Sequence, residues 1–135
     1  MFTALIVEDS LFFRRSLKEM LHSRYPAIKV KEAASGAEAL RIVDSGVPDL
    51  IFMGIRLPGA NGLEITKKIK QGHPRATVII VTSYDIAEYR DAARLCGADF
   101  FIPKSSSVWE EVTDLVEAVM SKAPLSIAGL DKEEE

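Results

Sequence analysis

The stretch DLIFMGIRLPGANG, residues 49–62, decides the fold. It begins with an unbroken apolar row, Leu50–Met53, and the row stops at Gly54, which has no side chain. An apolar run of this length without alternation is typical of a strand that is buried on both faces of a parallel sheet. In α/β proteins the carboxyl end of such a strand commonly carries a functional side chain, so a glycine there raises a question about function.

Other short runs along the chain have a similar character. Three of them, rich in Val, Ile and Phe, predict further buried strands: Thr3–Val7, Thr77–Val81 and Phe100–Ile102. A more alternating run, Ala27–Ala33, fits a strand nearer the edge of the sheet.

Helical patterns separate these runs, and several begin with a capping pair of a polar residue and a glutamate three positions later. The pairs are Ser35 with Glu38, Asn61 with Glu64, Asp85 with Glu88, and Ser107 with Glu110. Five strands that alternate with five helices predict parallel pairing and right-handed crossovers. We therefore expect an α/β fold with a doubly wound five-stranded parallel sheet, (βα)5, in the flavodoxin-like order 2-1-3-4-5. Residues 1–121 form one domain in this interpretation, and residues 122–135 form a tail or linker stub.

Composition limits the function classes. The net charge of −3, without a clustered Lys/Arg stripe, gives no footprint for nucleic acid binding by this domain. The single cysteine, Cys96, cannot form an internal disulfide and suits a reducing cytoplasm. No signal segment and no apolar run near twenty residues is present, so we expect a soluble cytoplasmic protein without membrane contact.

Polar side chains follow the predicted strands at their carboxyl ends. Glu8 and Asp9 follow the first strand, Thr82 follows the fourth and Lys104 follows the fifth. At one rim of the sheet, the two acids can hold a hard divalent cation, and Thr82 and Lys104 can contact a phosphoryl group. Each residue alone has a plainer interpretation: acids at a helix start, a capping threonine, a solvated lysine.

Four segments carry a resemblance to a known family: LIVEDS, DLIFMGIRLPGANGLE, VIIVTSY and GADFFIPKS. In their order and spacing they closely resemble the receiver domain of bacterial response regulators, of the kind seen in chemotaxis receivers.

The resemblance implies roles for individual residues. Glu8 and Asp9 match the acidic pair that binds Mg²⁺, and Arg56 matches the residue whose backbone carbonyl completes that metal site. Thr82 matches the switch hydroxyl, Phe101 the rotating switch aromatic, and Lys104 the lysine that pairs with the phosphoryl group. Gly54 falls on the phosphoacceptor, which is an aspartate in the family. A glycine cannot be phosphorylated, because an aspartyl phosphate needs a carboxylate.

The resemblance thus implies that the chain is a signalling module of a two-component or phosphorelay system and not an enzyme. It also implies that this module cannot be phosphorylated at position 54. It is either a natural pseudo-receiver or a receiver that was silenced by engineering. With only two carboxylates left, Mg²⁺ binding should be weak. The implied partners are a histidine kinase or phosphotransfer protein, a downstream output domain or protein, and a second copy through the face of the fourth helix, fifth strand and fifth helix.

Two other function classes are compatible with parts of the pattern. A small metal-dependent hydrolase could use Glu8 and Asp9, although no nucleophile–base pair is evident near the rim. A flavodoxin-like nucleotide carrier would need a Gly- or Ser/Thr-rich phosphate loop after the first strand. The loop here starts with Glu8 and Asp9, which repel phosphate unless a cation is present.

Overall fold

The computed structural model describes residues 1–121. The strands are β1 (Thr3–Val7), β2 (Lys29–Ala33), β3 (Leu50–Met53), β4 (Arg56–Leu57), β5 (Ala60–Asn61), β6 (Val78–Thr82) and β7 (Phe100–Pro103). The helices are α1 (Leu11–Arg24), α2 (Gly36–Ser45), α3 (Gly62–Gly72), α4 (Ala87–Leu95) and α5 (Val108–Ser121).

Five of these strands form one parallel sheet in the order β2-β1-β3-β6-β7. Counted along the chain, these are strands 2-1-3-4-5, so the predicted doubly wound fold is confirmed. The register pairs Val7 with Met53 and Thr82 with Pro103. Neighbouring strands therefore end level with each other, and the residues that follow them meet at one rim.

Two hydrophobic layers cover the sheet. On one face the strands pack against α2, α3 and α4, and on the other against α1 and α5. Both layers follow from strands whose side chains are buried on alternate faces, as in Leu5 and Ile6 of β1. In the part of the chain that the structure describes, no helix is long and apolar enough to cross a membrane.

The predicted strand limits need small corrections. β2 begins at Lys29 rather than Ala27, because the N–H of Ile28 bonds the carbonyl of Tyr25 in the turn after α1. β6 is shifted by one residue, and β7 extends to Pro103, because Thr82 and Pro103 still pair. The predicted tail, residues 122–135, lies outside the described residues.

Two of the four predicted capping residues cap their helices as expected. The side chains of Ser35 and Asn61 accept hydrogen bonds from the first turns of α2 and α3. The prediction for Asp85 was wrong: α4 begins after Ile86, and the Asp85 carboxylate instead pairs with Arg90 at 2.8 Å. Ser107 directly precedes α5.

At the start of α5 the predicted pair of Ser107 and Glu110 is replaced by other contacts. The hydroxyl of Ser107 donates to the carboxylate of Glu111 at 3.0 Å, and the N–H of Ser107 donates to the hydroxyl of Ser105 at 3.3 Å.

A small hairpin between β3 and α3 was not predicted. β4 and β5 pair antiparallel around Pro58 and Gly59, and Gly59 has φ +67°. At the end of the hairpin, a Cβ on Gly62 would overlap the carbonyl oxygen of Gly54. The glycine at position 62 thus lets α3 begin directly against the end of β3.

Candidate functional site at the carboxyl rim of the sheet

Glu8 lies directly after β1, and its side chain is almost fully buried. Its Oε2 accepts a hydrogen bond from the N–H of Ser10 at 2.8 Å, and its Oε1 accepts one from Nζ of Lys104 at 3.2 Å. Both carboxylate oxygens therefore have a donor. A buried carboxylate needs such partners, because an unpaired buried charge is strongly unfavourable.

Lys104 follows β7, the strand at the other edge of the sheet, and its side chain extends along the rim to this carboxylate. Its N–H donates to the carbonyl of Thr82 at 2.7 Å, which fixes the start of its side chain beside β6. Its ammonium then contacts Glu8 and lies 4.2 Å from the centre of the Phe13 ring, a cation–π geometry. The side chains of Glu8 and Lys104 are 9% and 22% exposed, so water screens this ion pair only in part.

Gly54 lies beside Glu8 at the end of β3. Its N–H donates to the carbonyl of Val7 at 2.8 Å, as part of the parallel ladder. The positive-φ glycines within residues 1–121 are Gly59 and Gly97, so the backbone conformation does not require glycine at position 54. A Cβ placed on Gly54 would lie 3.2 Å from Oε1 of Glu8. A side chain at this position would therefore enter the rim and push against the Glu8 carboxylate.

The other predicted metal ligands are Asp9 and Arg56. Asp9 is exposed in the loop before α1, next to Glu8 in the chain. Arg56 begins β4, and its guanidinium lies 4.3 Å from the centre of the Tyr84 ring, which in turn contacts Tyr89 edge-on. The assignment of these residues to a metal remains a prediction.

The predicted switch residues lie on the neighbouring strands. Thr82 is buried, and its hydroxyl oxygen accepts a hydrogen bond from the N–H of Tyr84 at 3.1 Å. Phe101 is half-buried under the guanidinium of Arg90, which lies 4.6 Å from the ring centre. In residues 1–121 no hydrogen bond joins the side chain of Thr82 to Glu8 or Lys104.

Three residues at this rim were not recognised as site residues from the sequence. Phe13 lies under the Lys104 ammonium and stacks on Trp109, with ring centres 5.3 Å apart and an angle of 15° between the planes. Arg14 donates to the backbone carbonyl of Glu8 at 2.7 Å. Phe13 packs against the core from α1, and hydrophobic periodicity carries no information about the lysine above its ring.

Arg14 also connects the rim to the edge strand β2. Its Nε donates to Glu32 at 3.0 Å, and Lys18 donates to the other oxygen of the same carboxylate at 2.9 Å. The hydrogen bond from Lys18, with help from Arg14, holds the pKa of the Glu32 carboxyl below its ordinary value. Arg14 is thereby oriented by Glu32 while it holds the backbone of Glu8.

The donor atoms at the rim suit Mg²⁺ in type but are few in number. Carboxylate and carbonyl oxygens are the ligands that Mg²⁺ prefers. Among residues 1–121, no group of three or more His, Cys, Asp and Glu side chains is arranged to hold a metal ion. A cation at Glu8 would also have to compete with Lys104 for Oε1. Mg²⁺ binding through Glu8 and Asp9 therefore stays a prediction.

Comparisons with known proteins agree with this architecture. Residues 4–119 match the model of the response regulator receiver domain family, so the chain belongs to that family, whose members act in two-component signalling. It is 34% identical over 117 residues to the chemotaxis protein CheY of Halobacterium salinarum, covering 84% of this chain and 96% of that protein. The crystal structure of TrrA from Thermotoga maritima in complex with Mg²⁺-BeF has a TM-score of 0.78 and 31% identity, covering 88% of this chain and 99% of that one.

Other relatives are longer proteins. The DNA-binding transcriptional regulator NtrC of Escherichia coli is 38% identical over 87 residues, which cover 64% of this chain and 18% of NtrC. The chain spans half the length of a Bacillus subtilis relative, the transcriptional regulatory protein YhcZ. The same receiver thus occurs as nearly a whole protein and as a minor part of larger regulators.

Proposed function

We propose that this chain is a receiver that is not phosphorylated at position 54, because Gly54 stands where the family has its phosphoacceptor aspartate. The supporting observation is the 3.2 Å between a Cβ at position 54 and Oε1 of Glu8. A carboxylate at position 54 would therefore lie beside Glu8 at the acidic rim. Without it, the rim lacks the nucleophile that an aspartyl phosphate requires.

The experiment is incubation with acetyl phosphate and Mg²⁺, followed by the intact mass. We expect no phosphoryl adduct on this chain, and we expect one on the Gly54→Asp variant, which serves as the matched positive control. A stoichiometric acid-stable, base-labile adduct on the glycine form would contradict the proposal. Asp9 and Ser83 would be the first positions to examine for it.

In this proposal Glu8, Asp9 and the carbonyl of Arg56 bind Mg²⁺, and Thr82, Phe101 and Lys104 are the switch residues. Two carboxylates hold a cation less tightly than three, and Lys104 already occupies one oxygen of Glu8. We expect a dissociation constant on the order of millimolar, from ligand number and charge. Calorimetric titration measures it directly, and a micromolar value would show that an additional ligand completes the site.

The chain is proposed to act through protein contacts. Receiver domains interact with histidine kinases and output domains, and here the proposed partners are a histidine kinase or phosphotransfer protein and a downstream output domain or protein. A homodimer would use the face of α4, β7 and α5, where Arg90 of α4 lies over the Phe101 ring of β7. Arg90→Glu should then shift the sedimentation profile towards monomer, and an unchanged profile would contradict this dimer. The predicted absence of nucleic acid binding and the cytoplasmic location remain predictions.

The geometry does not favour the hydrolase alternative. The hydrogen-bond partners of the Glu8 carboxylate are Ser10 and Lys104, and His73 lies beside Asp44, so no nucleophile–base pair adjoins the acids in residues 1–121. The matched family is one of signalling modules. Relatives whose names denote enzymes, such as a methylesterase of Pyrococcus abyssi, are about three times longer than the part that this chain matches.

A further inference from the structure

Lys104 joins the rim to the packing of α1 against α5. Its ammonium contacts Glu8 at 3.2 Å and lies 4.2 Å from the Phe13 ring centre, and Phe13 on α1 stacks on Trp109 of α5. A single charged group thus touches both the acid of the rim and the aromatic pair. A ligand that moves the Lys104 ammonium away from Glu8 would therefore also change the contact with the Phe13 ring.

α1 and α5 also contact each other at the end of α1 that is remote from the rim. Tyr25, which follows α1, donates to Glu117 of α5 at 3.2 Å, and Arg24 lies 3.6 Å from the same carboxylate. The Phe13–Trp109 stack is at the rim end of this contact, and the Glu117 contacts are at its far end. A shift of the stack therefore acts on one end of a two-point attachment between α1 and α5.

A second set of residues, Thr82 on β6 and Phe101 on β7, also lies near the rim. The side chains of these two residues do not contact the Glu8–Lys104 pair through hydrogen bonds in residues 1–121. The hydroxyl of Thr82 is occupied by the N–H of Tyr84, and the Phe101 ring is covered by Arg90. Within residues 1–121, the hydrogen bond between Thr82 and Lys104 joins backbone atoms, and none joins their side chains. The side-chain contacts that adjoin the Glu8–Lys104 pair are those of Phe13 and, through its ring, of Trp109.

We propose that Lys104, Phe13 and Trp109 couple ligand binding at the rim to the α1–α5 face. In the free state Glu8 holds Lys104 over Phe13 and stabilises the stack. A divalent cation at Glu8 and Asp9 displaces the ammonium, the stack loosens, and the α1–α5 surface changes. The inference rests on the proposed function only in taking Glu8 and Asp9 as the cation ligands.

Trp109 makes the proposal measurable, because it is the sole tryptophan of the chain. The probe is its fluorescence emission and lifetime, recorded in EDTA for the unmodified chain, Lys104→Met and Glu8→Gln. Both substitutions remove the ion pair, so we expect a red shift as the indole becomes more exposed. Lys68→Met, at an exposed lysine on α3, and Phe12→Leu, at the 81% exposed neighbour of Phe13, should leave the emission unchanged.

A double substitution separates coupling from a direct electrostatic effect of the lysine on the indole. In a Phe13→Leu background, Lys104→Met should produce no further change, because the connecting ring is absent. A shift that persists in that background would contradict the proposal, as would an unchanged emission in Lys104→Met. Urea unfolding confirms that each variant is folded, and Lys104→Gln replaces Lys104→Met if the latter is not.

Addition of Mg²⁺ to the unmodified chain should reproduce the red shift, and Phe13→Leu should abolish this response. No response to saturating Mg²⁺, as judged by calorimetry, would overturn the coupling. Failure of the proposed function has a different signature, a phosphoryl adduct on the glycine form, which does not depend on Trp109. The two ideas can therefore fail independently.

Discussion

Two lysine–carboxylate pairs lie at opposite ends of the same sheet, and they are built differently. At the amino end, Oδ2 of Asp99 accepts from Nζ of Lys70 at 3.0 Å and from the N–H of Val78 at 2.8 Å. The same ammonium also donates to the carbonyl of Ala76 at 2.6 Å. At the carboxyl rim, the ammonium of Lys104 donates to Glu8 and otherwise lies on an aromatic ring.

The two lysine–carboxylate pairs differ in how many groups hold the lysine ammonium in place. Lys70 bonds both a backbone carbonyl and a carboxylate, so it ties α3 to the loop before β6 and to the start of β7. Among residues 1–121 the ammonium of Lys104 has one hydrogen-bonded partner, Glu8, which is adjacent to a second acid, Asp9, and to Gly54, which has no side chain. We infer that the first pair is structural and that the second can be displaced by a cation.

The largest expected effects come from removing each lysine. Lys70→Met and Lys104→Met should each lower the free energy of unfolding by about 2–3 kcal/mol, because each leaves a carboxylate with fewer donors. Mg²⁺ at concentrations well above its dissociation constant should recover part of the loss in Lys104→Met, since the cation replaces the ammonium beside Glu8 and Asp9. It should recover none in Lys70→Met. Urea melts with EDTA or Mg²⁺ measure both, and equal recovery in the two variants would remove the distinction between the pairs.

A smaller effect is expected for Gly54→Asp in EDTA at pH 7–8. Close carboxylates at a partly solvated rim repel each other by about 1–4 kcal/mol. Replacing glycine relieves roughly 0.5–1 kcal/mol of backbone entropy cost. We expect a net loss of stability of about 1–2 kcal/mol, measured in urea. Gly54→Asn has the same shape without the charge, so it should be more stable than Gly54→Asp; the reverse order would place position 54 outside the acidic cluster.

The smallest effect concerns Glu32, which orients Arg14 at the rim. Its folded-state pKa is lowered by Lys18 and Arg14, so its stabilising contribution is present above the unfolded pKa and is lost as the pH falls through the folded one. Glu32→Gln should cost about 0.5–1 kcal/mol at pH 7, the range of partly exposed ion pairs. The cost should disappear in strongly acidic buffer. A cost that does not change between pH 7 and acid would assign the effect to packing.

Much of the fold could be predicted because its signals are local. The apolar rows of β1, β3 and β6 identify buried parallel strands, and the order of strands and helices then restricts the topology. Asp85 shows where a local signal is insufficient. Its spacing to Glu88 suggested a helix cap, but its carboxylate pairs with Arg90, and the helix begins one residue later.

The sequence predicted which residues lie at the carboxyl rim of the sheet, but it did not predict their side-chain contacts. The level ends of parallel strands bring Glu8 and Lys104 to one edge, which strand order alone implies. That Lys104 bonds Glu8 and lies on Phe13 depends on the side-chain conformations of residues that follow β7, follow β1 and belong to α1. Those conformations depend on long-range packing, which hydrophobic periodicity does not encode.

The most direct test of the account is the gain in stability from Mg²⁺ in this chain and in Gly54→Asp. We propose that Glu8, Asp9 and position 54 form one acidic site, in which the glycine leaves out the third carboxylate. We predict that millimolar Mg²⁺ raises the urea midpoint of Gly54→Asp more than that of the glycine form, because three carboxylates bind the ion more tightly and only when folded. Gly54→Asn should gain no more than the glycine form. An equal or smaller gain in Gly54→Asp would contradict the claim that these positions form one site.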